Sequence, residues 1–70
     1  MSIDIRKVFG EKVKKARKLK NLTQEELAEK AKLHFTYIGQ VERGVRNLSL
    51  NNIYKIVKAL NVPISEIFPK

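Results

Sequence analysis

Thr36 and Gln40 stand four positions apart in the stretch QEELAEKAKLHFTYIGQVERG, residues 24–44. On a helix that spacing stacks a hydroxyl and a carboxamide one turn apart on the same face. A carboxamide so placed donates and accepts together, the pattern that matches N6 and N7 of adenine. Phe35, beside them, is either a reader of thymine methyl groups or an edge residue turned into the core. His34 suits a helix cap or a phosphate donor. Tyr37 either offers its hydroxyl to a phosphate or is a core aromatic with that hydroxyl satisfied. Arg43, Arg46 and Asn47 follow as donors for the backbone of a nucleic acid, and the planar fork of Arg46 fits guanine as well as phosphate. These residue types recognise by hydrogen bonding; none of them forms a bond-making constellation.

His34 is the single histidine and cysteine is absent, so no acid–base pair, activated nucleophile, disulfide or thiolate metal site can be assembled around them. No glycine-rich phosphate loop occurs either. The composition implies a non-enzymatic protein with no metal and no cofactor. Fifteen Lys plus Arg against seven Asp plus Glu leave a net charge of +8, which favours a polyanionic partner, either nucleic acid or an anionic membrane surface. No apolar run approaches the ~20 residues that span a bilayer, and the N-terminus lacks the apolar core of a signal peptide, so a cytoplasmic protein with no membrane role is expected.

To hold those donors on one surface, the chain must build short helices around one small core, and 70 residues allow a single domain, residues 1–70. Ile5, Val8, Phe9, Val13, Ala16 and Leu19 recur at three- and four-residue steps and predict a first helix up to Lys20. Its other face carries Lys7, Lys12, Lys14, Lys15 and Lys18, a solvated face or a long-range attraction for phosphates. Thr23 followed by Glu26 is a capping-box signature, so a second helix starts at Gln24 and buries Leu27, Ala28 and Ala31. Leu33 closes a turn. A third helix then starts at His34 or a neighbour, with Ile38 and Val41 inward, Phe35, Thr36, Gly39, Gln40 and Arg43 outward, and Gly44 as a left-handed cap. Ser49 caps a fourth helix patterned by Leu50, Ile53, Ile56, Val57 and Leu60, which ends at Asn61 and Pro63. Ile64 to Phe68 predict one more turn before Pro69, with Ile64, Ile67 and Phe68 exposed. No strand alternation occurs, and the expected fold is all-α with five helices.

The run Thr23-Gln24-Glu25-Glu26-Leu27-Ala28, followed by Tyr37-Ile38 and Glu42-Arg43-Gly44, resembles the Cro and phage-repressor helix-turn-helix family, also called the xenobiotic-response-element type. Ala28, Ile38 and Val41 match its small and apolar positions, and the resemblance covers essentially the whole chain. Thr36 to Ile53 is similar in particular to the controller proteins of restriction-modification systems. The resemblance implies a compact five-helix, lambda-repressor-like DNA-binding domain with its helix-turn-helix at about 24–44. It implies that Gln24 anchors the DNA backbone, and that Arg17 and Glu42 form a buried ion pair between the first helix and the end of the third.

Two positions depart from the family pattern. Lys32 stands where the turn usually has glycine, so it must adopt a left-handed conformation at about 1 kcal/mol or reshape the turn. Phe35 stands where controller-like relatives often carry a polar or basic base-reader, so no operator sequence carries over.

One recognition helix reads only about four base pairs, too few to single out a genomic site. A homodimer on a palindromic, double-stranded operator is therefore expected, with Ile64, Ile67 and Phe68 at its interface within a region at about 50–68. No small-molecule effector is expected, and Glu25, Glu26 and Glu29 are candidate contacts for RNA polymerase. The alternatives are an antitoxin-type protein-interaction module with secondary DNA binding, and a basic helical domain that coats nucleic acid or anionic membrane without sequence preference.

Overall fold

Four of the five helices begin at a side chain that turns back onto the backbone, which is why the boundaries fall where they do. The computed structural model describes residues 4–68. Asp4 accepts from the Arg6 N–H at 3.1 Å and starts α1 (Ile5–Leu19). The hydrogen bond from the Arg6 side chain holds the Asp4 carboxyl below the usual carboxylate range. Thr23 Oγ1 accepts from the Glu26 N–H at 3.0 Å, while Glu26 Oε1 accepts from the Thr23 N–H at 2.9 Å, a complete capping box for α2 (Gln24–Ala31). His34 caps α3 (Phe35–Arg43), and Ser49 caps α4 (Leu50–Leu60) through the Asn52 N–H at 3.1 Å. Pro63 precedes α5 (Ile64–Ile67), a single turn with no side-chain cap. The described residues contain no strand.

The elements stop as deliberately as they start. Lys32, Gly44 and Asn61 follow α2, α3 and α4 in the left-handed region, at φ 58°, 73° and 55°. Lys32 thus takes the strained conformation and keeps the family's turn: its N–H reaches the Ala28 and Glu29 carbonyls, and Leu33 N–H reaches Ala28 O at 2.9 Å. Gly44 has a second reason to be glycine, since a Cβ there would lie 2.7 Å from Lys7 Cα.

The core gathers Phe9 and Val13 of α1, Leu27 and Ala28 of α2, Ile38 and Val41 of α3, Ile56, Val57 and Leu60 of α4, and Ile67 of α5. α3 packs against both α1 and α2, α4 covers α2, and α5 returns to α1. Gly10 makes the α1–α3 crossing close: a Cβ there would run into the Val41 carbonyl oxygen and lie 2.8 Å from that of Glu42.

The tail differs from its expectation. Ile67 is 1% exposed and belongs to the core, and Phe68 is half-buried with its ring 5.3 Å from that of Phe9; of the three, only Ile64 is exposed. A core this small draws in its last apolar turn, which packs back against α1. Ile5, Leu19 and Leu50, at helix ends, lie outside the core although they fit the apolar period. Pro69 lies outside the described residues.

Gly10→Ala is expected to lower stability by about 1–3 kcal/mol in chemical denaturation, because overpacking outweighs the gain of about 0.5–1 kcal/mol in helix propensity. A variant as stable as the parent would contradict the close crossing.

Candidate nucleic-acid interface

α2, the turn through Lys32 and Leu33, and α3 form a helix-turn-helix in which α3 offers its N-terminal turn to solvent. Phe35 is 52% exposed, and its ring lies 5.5 Å from that of His34, nearly parallel at 22°, so it is an outward residue. Thr36 is exposed beside it, and Gln40 is half-buried one turn further along. His34 Nδ1 accepts from the Thr36 N–H at 3.4 Å. That bond engages Nδ1 and leaves Nε2 open to an outside partner.

Gly39 is buried rather than outward, since the side chains of Gln24, at the start of α2, and Arg43 lie over it. A methyl group at Gly39 would lie 3.6 Å from Arg43 Nη1 and 3.7 Å from Gln24 Oε1. The Gln24 carboxamide and the Arg43 guanidinium therefore converge above this glycine, one from each helix of the motif. Gln24 Nε2 donates to Glu42 Oε1 at 3.1 Å, which fixes the carboxamide and leaves its second N–H free.

Beneath this surface lies the pair that sets the relation of α1 to α3. Arg17 Nε donates to Glu42 Oε2 at 2.7 Å and Arg17 Nη2 to Glu42 Oε1 at 3.1 Å, a bidentate contact with side chains only 10% and 3% exposed. Arg17 Nη1 donates to the Leu22 carbonyl at 2.7 Å, so the guanidinium also holds the loop that leads into α2. No buried side-chain polar atom among the described residues is left without a partner.

Past α3 the loop carries Arg46 and Asn47, both exposed. The Arg46 guanidinium sits 5.0 Å from the centre of the half-buried Tyr37 ring, a cation–π contact that lays the loop against α3. The Tyr37 hydroxyl accepts from Asn52 Nδ2 at 3.1 Å. Helical period alone singles out neither Asn52 nor Gly10. A glycine inside a helical period is a readable signal of close approach. Asn52 gives no such signal, because its partner lies in another helix.

Only two ion pairs occur among the described residues, Arg6 with Asp4 and Arg17 with Glu42. Most of the excess positive charge is therefore free to act on a polyanion. No helix among the described residues is long and apolar enough to cross a membrane.

A helix-turn-helix family model matches residues 13–67 of the chain. The chain belongs to the helix-turn-helix family of Cro and phage-repressor type. It is similar to the control protein C.BamHI of Bacillus amyloliquefaciens, with 54% identity over 89% of this chain and 78% of that protein. It is also similar to the control protein C.SmaI of Serratia marcescens, 41% identical over 97% of this chain and 81% of the other. Among solved structures, the restriction-modification controller protein C.AhdI from Aeromonas hydrophila superposes with a TM-score of 0.86 at 43% identity, covering 90% of this chain and 96% of that one. As a helix-turn-helix protein of this kind, the chain is a transcriptional regulator and not an enzyme.

In this helix-turn-helix protein the buried pair is a structural element on which the exposed donors rest. Glu42→Ala leaves the Arg17 charge buried and uncompensated, so a loss of about 3–5 kcal/mol is expected in urea denaturation. A loss below about 1 kcal/mol, the range of an exposed pair, would contradict its burial.

Proposed function

We propose that the protein binds a palindromic DNA operator as a homodimer, with α3 in the major groove, and thereby serves as the control protein of a restriction-modification system. The observation that carries this reading is the outward grouping of Phe35, Thr36 and Gln40 on α3 beside the converging Gln24 and Arg43. Phe35 suits the methyl group of thymine, Gln40 suits adenine, and Thr36 suits either a base edge or its neighbour. Gln24, His34, Tyr37, Arg43 and Asn47 hold phosphates and set the register, and Arg46 reaches a groove or the backbone from its loop. The names of the similar proteins from Bacillus amyloliquefaciens and Serratia marcescens support the link to control.

Dimerisation uses the region at about 50–68. Leu50 and Tyr54 are exposed one turn apart on α4, and Ile64 is exposed on α5, while Ile67 backs that turn from the core side. Pairing two domains about a two-fold axis doubles the site read and makes it a palindrome. Glu25 and Glu29 are exposed at α2 and remain candidates for polymerase; Glu26 is also exposed, with its carboxylate engaged in the capping box.

Titration of folded variants against a preferred duplex and its single-base changes tests this assignment. Gln40→Ala is expected to relax preference at one or two base pairs, at about 1–3 kcal/mol, whereas Gln24→Ala weakens all duplexes alike. If Gln40→Ala left both preference and affinity untouched, α3 would not be the reading element. Arg43→Ala is expected to lower the slope of log affinity against log salt by about 1; an unchanged slope would remove Arg43 from the phosphate contacts.

A further inference from the structure

Tyr37, like Glu42, is a residue of α3 whose polar end is held by a different helix, but its partner lies on α4. Its hydroxyl accepts the Asn52 Nδ2 proton at 3.1 Å, and its ring is faced by the Arg46 guanidinium at 5.0 Å. A phenol has one proton to give and two lone pairs to receive. The bond from Asn52 occupies a lone pair and leaves the proton. Among the described residues no group accepts that proton. The hydroxyl is thus turned into a donor whose direction is set by α4, at the edge of the surface that carries Thr36 and Gln40.

We propose that Asn52 is a positioning residue for DNA binding: its carboxamide holds the Tyr37 hydroxyl so that the phenolic proton is presented to an acceptor oxygen on the bound duplex. The inference rests on the DNA-binding reading above and deepens it. Asn52 acts through Tyr37, so its contribution exists only while the hydroxyl is there. The carboxamide is chemically specific in this place. A carboxylate at the same position can only accept, so it would take the Tyr37 proton for itself and leave nothing for the DNA. The Arg46 cation above the ring restrains the ring plane, which makes the hydroxyl position a joint product of α3, the loop and α4.

A double-mutant cycle with the full chain and a preferred duplex tests this, using affinity at a temperature below every melting midpoint and active fractions counted by stoichiometric titration. Asn52→Ala is expected to weaken binding about three- to tenfold in the parent, the value of one well-placed hydrogen bond, and by less than about twofold in the Tyr37→Phe protein. Asn52→Asp is expected to weaken the parent more than Asn52→Ala does, with that excess reduced in the Tyr37→Phe background, where only the added negative charge still acts. A structural role alone would lower the melting midpoint and affect both backgrounds equally, so equal losses in the two backgrounds would overturn the proposal. So would an unchanged affinity for Asn52→Ala or for Tyr37→Phe. Methylphosphonate substitution along the duplex identifies the acceptor: coupling lost at one substituted position assigns a phosphate, and coupling that survives every substitution assigns a base edge, both in keeping with the proposal. A parent protein that prefers no duplex would remove the DNA reading and this inference with it, whereas a parent that binds selectively without coupling removes the inference alone.

Discussion

The bidentate contact between Arg17 and Glu42 is the constraint on which the geometry of the surface depends. It joins α1 to the last turn of α3 at the edge of a small core. Two buried charges are costly to desolvate, and the cost is recovered only when every donor and acceptor is matched. Here the matching extends outward. Arg17 reaches the Leu22 carbonyl, which holds the loop before α2, and Glu42 receives Gln24, the first residue of α2. A single buried carboxylate therefore organises three elements, and its last bond ends at the half-buried carboxamide that stands beside Arg43. Stability and presentation of the surface share one network, so damage to its interior reads out as loss of binding.

Close approach does the rest. Gly10 lets the α1 backbone come up to the α3 carbonyls, and this proximity puts Arg17, two turns further along α1, within reach of Glu42. Lys32 accepts a left-handed conformation where glycine would be unstrained, a cost of about 1 kcal/mol carried by the surrounding core. Asn21 and Asn61 take the same conformation more readily, since asparagine tolerates it. The turn between α2 and α3 keeps its shape because Leu33 and the cap at His34 over-determine it.

Much of this was legible in the residues. The capping box at Thr23, the cap at Ser49 and the stop at Gly44 are local signals, and local signals survive folding because their partners lie within one turn. The outward positions Thr36 and Arg43 follow from helical period once Ile38 and Val41 point inward. Period fails where a side chain from another element decides exposure: Gly39 shares the outward arc but lies under Gln24 and Arg43, and Ile67 shares its spacing with Ile64 yet belongs to the core. The part played by Asn52 could not be read at all, because a carboxamide in the first turn of α4 and a phenol on α3 meet only after the core has formed. Asp4 carries no periodic signal, because it precedes the first apolar residue of its helix.

On the proposed function, two copies of α3 read a symmetric site. Selection of bound duplexes from a random library at about 0.15 M salt, where purely electrostatic binding is already weakened, tests it most directly. Recovery of a palindrome whose half-sites lie about one helical turn apart is expected. Recovery of no enriched sequence by a folded protein, or of a site without two-fold symmetry, would contradict it.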